Sequence, residues 1–128
     1  MKPETREALA RRGKALAKAN RILESGMPDV AARPAYIASL TAARGLIYEM
    51  RGRAPKTHTG VKSVVHELVR EGLNLDRRLL DILEYGFELK VTADYGDPDQ
   101  ISEPEAKRAI DLAAEFIAAT DNILARNT

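Results

Sequence analysis

Cysteine is absent from this 128-residue chain, which excludes disulfide staples, thiolate nucleophiles and cysteine-ligated zinc. Histidine is scarce, and the two imidazoles, His58 and His66, are too few for a His-rich metal cluster. With no Trp, two Phe and four Tyr, there is little from which to build a stacking platform for single-stranded bases. No long apolar run offers a membrane span, and the charged start Met1-Lys2-Pro3-Glu4-Thr5-Arg6 does not read as a secretory leader. The expected location is the cytoplasm, with no membrane partner. An excess of one charge sign is missing too: 20 Lys and Arg against 19 Asp and Glu leave a net charge of +1. That balance argues against nucleic-acid binding driven by bulk charge, but leaves room for a local basic patch.

What is present suits helices. Ala, Leu, Glu, Arg and Lys dominate, and the length fits one domain, 1–128, able to bury roughly two thirds of its unfolded surface. Leu9, Leu16, Ala19, Ile22 and Leu23 recur at three- and four-residue steps, with Arg6, Arg11, Lys14 and Lys18 on other faces. This predicts an amphipathic helix over 4–25, ended by Gly26. A second helix is expected from Pro28-Asp29 to about Arg51, with apolar positions over more than half its circumference. Pro34 inside it removes a backbone bond and crowds the preceding turn at about 3 kcal/mol, so a kink or a late start is expected there. Tyr36, Leu40 and Ile47 of this helix are candidates for a homodimer interface.

The Gly- and Pro-bearing stretch 51–57 reads as a loop, with Thr57 or Thr59 capping a third helix over 58–71. Gly72 stops it, and a fourth helix is expected over 76–95, broken by Gly96-Asp97-Pro98-Asp99. Ser102-Glu103-Pro104-Glu105 has the form of a capping box opening a last helix that ends near Arg126. Short loops between long helices give an all-α, up-and-down bundle of about five helices.

Three places draw attention chemically. Lys56-Thr57-His58-Thr59-Gly60 sets a cation, two hydroxyls and an imidazole at a helix start, where backbone N–H groups favour anions. Between positions 44 and 62, Arg44, Arg51, Arg53, Lys56 and Lys62 face Glu49 alone, a local excess of +4. Capping plus a solvated loop accounts for the same residues. Lys90 and Asp94 are four apart on one helix face, a salt-bridge spacing, with Tyr95 beside them. His66 among apolar neighbours reads as a hydrogen-bonded boundary residue. The acids around 97–105 match no EF-hand spacing, and no P-loop, G-x-S-x-G or H-E-x-x-H run occurs.

Tyr36-Ile37-Ala38-Ser39-Leu40-Thr41-Ala42-Ala43-Arg44, Pro55-Lys56-Thr57-His58-Thr59-Gly60-Val61 and Glu88-Leu89-Lys90-Val91-Thr92-Ala93-Asp94-Tyr95 together resemble the HEPN family (higher eukaryotes and prokaryotes nucleotide-binding), in its small stand-alone prokaryotic branch. The resemblance covers nearly the whole chain. It implies a helical bundle, commonly dimeric, and often paired with a minimal nucleotidyltransferase in toxin–antitoxin-like systems. Many members are metal-independent endoribonucleases with an Arg-x4-6-His motif. At the matching positions this sequence has Lys90 and Asp94, a point cation without the guanidinium fork and a carboxylate too acidic to donate a proton at neutral pH. The ribonuclease motif is therefore not intact. The expected function is a non-catalytic dimeric module with no cofactor, taking nucleotide or RNA phosphate through Arg44, Arg53, Lys56, Thr57, His58, Lys90 and Tyr95. Two alternatives stand beside it: a ribonuclease using His58 with Arg44 or Lys90, and a scaffold acting only through protein contacts.

Overall fold

In the computed structural model, which describes residues 1–126 and only the backbone at Pro98, five helices follow one another: α1 (Pro3–Glu24), α2 (Pro28–Arg51), α3 (His58–Arg70), α4 (Arg78–Tyr95) and α5 (Glu103–Arg126). A short 3-10 turn, Pro98–Gln100, joins the last two, and among the described residues there is no strand. Gly26 and Gly72 follow α1 and α3 with φ of 80°, the left-handed conformation that favours glycine after a helix. Ser102 and Glu105 form the capping box: Glu105 N–H donates to Ser102 Oγ at 3.2 Å, and Ser102 N–H donates to Glu105 Oε1 at 3.0 Å.

The second helix departs from its expected late start. It begins at Pro28 and is unbroken through Pro34. Pro34 lies in the second turn, and the carbonyl deprived of its i+4 partner belongs to Val30, a residue 47 % exposed. Interrupting the helix ladder on a side with an exposed residue costs less than doing so in the core.

Packed against all four other helices, α2 occupies the centre. Its buried face is rich in small residues: Ala31, Ala35, Ala38, Ala42 and Gly45 let α1 approach closely. A Cβ at Gly45 would lie 3.0 Å from that of Ala8, and Thr5 Oγ1 donates to the Gly45 carbonyl at 3.2 Å. Two apolar clusters fill the bundle. One gathers Leu46, Ile47, Val61, Leu83 and Phe116, and the other Ala19, Leu23, Ala35, Leu89 and Ile110. Tyr36 and Ile47 are buried within the protomer, at 4 % and 0 % exposure, so the homodimer role expected of them is corrected. Both side chains are already spent on the interior of their own bundle, and neither is left for a second copy.

One ion pair spans the ends of the chain. Arg12 Nη2 donates to both Asp121 carboxylate oxygens, at 2.7 and 2.8 Å, fastening α1 to α5. Arg12 is mostly buried, so this bidentate contact is stronger than an exposed pair.

Candidate functional site

The loop between α2 and α3 is held from both sides. From α2, Arg44 Nε donates to the Pro55 carbonyl at 3.0 Å, with the guanidinium over the Tyr48 ring at 5.7 Å from its centroid. From α3, Thr57 Oγ1 accepts the Gly60 N–H at 3.0 Å, the N-cap bond that starts the helix. A Cβ on Gly60 would meet the Pro55 Cβ at 2.7 Å and Thr57 Oγ1 at 2.9 Å, so glycine is required there by close approach.

His58 turns inward. Its ring stacks on Phe87 of α4, with centroids 3.9 Å apart and planes 7° apart. Nδ1 lies 2.7 Å from Tyr36 Oη of α2, and Nε2 lies 3.5 Å from Glu84 Oε1, too long for a good hydrogen bond. The second oxygen of Glu84 accepts from Lys62 Nζ at 2.9 Å. Burial, and then the charge of Glu84, push the Tyr36 phenol up to about 12. Tyr36 therefore keeps its proton at neutral pH. In a neutral imidazole the Glu84 carboxylate favours the proton on Nε2, so Tyr36 donates to Nδ1. The Lys62 hydrogen bond, with help from the positive charges near it, holds the Glu84 carboxyl below its usual range despite partial desolvation.

Tyr36, His58, Glu84 and Phe87 thus form a knot joining α2, α3 and α4. The sequence pattern singles out His58 but not this set. The available signal is Gly86: in an otherwise well-filled helix, it marks a close approach. A Cβ there would sit 3.3 Å from Tyr36 Cδ1.

One turn beyond Phe87 on α4, Lys90 Nζ pairs with Asp94 Oδ2 at 3.1 Å, as its spacing predicts. Arg33 of α2 adds a longer contact to the same oxygen at 3.6 Å. Tyr95 is 81 % exposed, with Lys90 Nζ 5.7 Å from its ring centroid. The carboxylate at the position where the resemblance looks for an imidazole is therefore clamped by two cations.

The seven sequence candidates fall into three groups. Arg44 and Thr57 build the loop, His58 is locked into the knot, and Lys90 with Tyr95 lies further along the same α2–α4 side. Arg53 and Lys56 are exposed and have no carboxylate partner among the described residues. Arg53 also lines a cleft of about 590 Å³, floored by Ile47, Ala54, Pro55 and Val64 and rimmed by Arg51 and Glu67. Arg51 is not free there, because it donates to both oxygens of Glu71 at 2.9 Å. His66 is exposed, not a boundary residue of the core. It stands with Thr59, Lys62 and Ser63 in a shallow cleft facing Arg77 of the α3–α4 connection. Among the described residues, no three His, Asp or Glu side chains are grouped to hold a metal, and no helix is long and apolar enough to cross a membrane.

A comparison with solved structures finds a protein of the same fold, the crystal structure of TT1696 from Thermus thermophilus. It superposes with a TM-score of 0.83 over 95 % of this chain and 99 % of its own, at 21 % identity. A search of curated proteins gives no match. The family model described as "HEPN domain" matches residues 6–123. That span takes in most of the chain, with parts of all five helices and every candidate residue above, and the chain belongs to the HEPN domain family.

Proposed function

We propose that the protein is a non-catalytic, dimeric binding module that takes a phosphate-bearing ligand, nucleotide or RNA, at the rim of the α2–α3 loop. The observation that carries this reading is the division of labour in that loop. Its imidazole is committed to Tyr36 and Phe87, whereas its cations Arg53 and Lys56 face solvent without acid partners among the described residues. Charge is offered to a phosphate there, while the imidazole of the same loop is already held by Tyr36 and Phe87. Arg44 supports the rim from below through its bond to Pro55.

The dimer rests on a separate observation. Ile37 of α2 and Phe87 and Val91 of α4 are only partly buried and belong to neither apolar cluster. Val30 and Tyr95 extend the same side and are exposed. A two-fold pairing across this side covers them. The family resemblance adds a minimal nucleotidyltransferase, in a toxin–antitoxin-like pair, as the protein partner to test by co-purification.

Fluorescence anisotropy with labelled RNA and with nucleotides tests the ligand site. Arg53→Ala/Lys56→Ala weakens binding, and incubated RNA stays intact. RNA cleavage by the wild type refutes the reading, and its loss in a His58→Ala protein that is still folded by circular dichroism favours the ribonuclease alternative. Light scattering gives a dimer for the wild type and a monomer for Ile37→Asp/Val91→Asp; a monomeric wild type at tens of micromolar removes the dimer.

A further inference from the structure

The strongest concentration of unbalanced charge lies elsewhere, on the first helix. From Ala8 to Leu23 the sequence contains Arg11, Arg12, Lys14, Lys18 and Arg21 and not one acid. Arg12 is used internally by Asp121. The other four follow steps of three, four and three residues, which places them on one face of α1. All four are exposed, and none has a carboxylate partner among the described residues. Elsewhere Arg33, Arg51, Lys62, Arg78, Lys90 and Lys107 are paired with an acid. Exposed cations without such a pair, among them Arg6, Arg53, Lys56, Arg70 and Arg77, do not line up as a second row of four on one helix among the described residues. The acid that closes the stripe is Glu7, one turn before Arg11. In a chain of net charge +1, four free cations on one helix face are compensated at the other end of the sequence. Between 97 and 115 there are six carboxylates and only Lys107 and Arg108 against them.

We infer that this α1 stripe is a docking surface for the phosphodiester backbone of a nucleic-acid strand, separate from the α2–α3 loop. Ten residues of helix separate Arg11 from Arg21, about 15 Å at the helical rise. A linear array on a convex helix suits an extended polyanion, which meets several cations in succession, better than a single small anion. A membrane surface fits poorly, because the exposed large apolar residues are Met1, Met27, Val30 and Tyr95, and none lies in the stripe. The apolar face of α1 that would enter lipid is already spent on α2 and α5. The contacts are to backbone, so base sequence is not read.

The test uses the full chain and a labelled 12-nucleotide single strand, with affinity measured from 50 to 200 mM salt. Four phosphate contacts give a log–log salt slope of about −2.8, an affinity loss of about 50-fold across that range. Lys14→Ala/Lys18→Ala removes two contacts and makes the slope shallower by about 1.4, and both sites are exposed, so its melting curve stays that of the wild type. An unchanged slope overturns the inference. So does binding to anionic vesicles, or to polyglutamate, that equals or exceeds binding to the strand. Loss of strand binding in Arg53→Ala/Lys56→Ala alone, with the α1 variant unaffected, removes this surface and leaves the loop site standing. The reverse result leaves this surface and removes the loop site.

Discussion

Tyr36→Phe deletes one oxygen from the knot at the start of α3. Among the described residues that hydroxyl is the hydrogen-bonding partner of His58 Nδ1, at 2.7 Å, and Tyr36 is 4 % exposed. Its loss leaves a ring nitrogen in an apolar surround with little access for water to replace the phenol. An orphaned buried acceptor costs about 1–2 kcal/mol. For a domain of this size, that lowers the melting temperature by about 4–8 °C. The companion change His58→Phe keeps a ring against Phe87 but strands the Tyr36 hydroxyl in turn. It also presses a C–H against that oxygen where a short polar contact had been. Combining the two removes both polar groups at once, so the double variant recovers part of the loss, with a coupling of about 1 kcal/mol or more. Far-UV circular dichroism melts and urea titrations of the four proteins supply the cycle. A Tyr36→Phe melt within about 2 °C of wild type, the scale of an ordinary surface change, refutes the reasoning. Strict additivity in the double variant refutes it as well.

Gly60→Ala drives a methyl against the rigid Pro55 ring and the capping hydroxyl of Thr57, at a cost of about 1–3 kcal/mol in urea titration. Gly13→Ala, with nothing within 4 Å of the added carbon, stabilises by about 0.5–1 kcal/mol in the same assay; equal effects at the two sites refute the close-approach argument. Glu84 gives a pH signature. Its folded carboxyl is depressed, first by the Lys62 hydrogen bond. The stability it adds over Glu84→Gln is therefore present above the ordinary value of 4.5, and is lost as pH falls through the lower folded one. A wild-type advantage that survives well into stronger acid contradicts the Lys62–Glu84 link.

Helix positions were legible because their signals are local. Thr57 and the Ser102–Glu105 box are read from side-chain hydrogen bonding to the next turn, and Gly26 and Gly72 from backbone freedom. Of the kink or late start expected at Pro34, the late start does not occur, because the helix already begins at Pro28 and runs through the proline. Local signals reach only part of the site. Lys90–Asp94 was visible at a spacing of four. Tyr36, His58 and Glu84 lie 22 and 26 residues apart along the chain, and no periodicity relates them. The apolar wealth of α2 was real, but it serves four neighbours within one protomer, not Tyr36 and Ile47 at a dimer seam. Ile37 is one of several equally apolar residues on that helix, and no local signal separates it, partly buried, from its fully buried neighbours.

The Arg12–Asp121 clasp bears on how the chain is made. Ribosomal synthesis delivers α1 and α2 first, and they can fold back on each other across a three-residue turn as soon as both have emerged. The flank of α1 that carries Arg12 then stays uncovered until α5, which follows α3 and α4 in the chain, has emerged. Until α5 emerges, Arg12 lacks the Asp121 carboxylate that fastens it in the folded bundle.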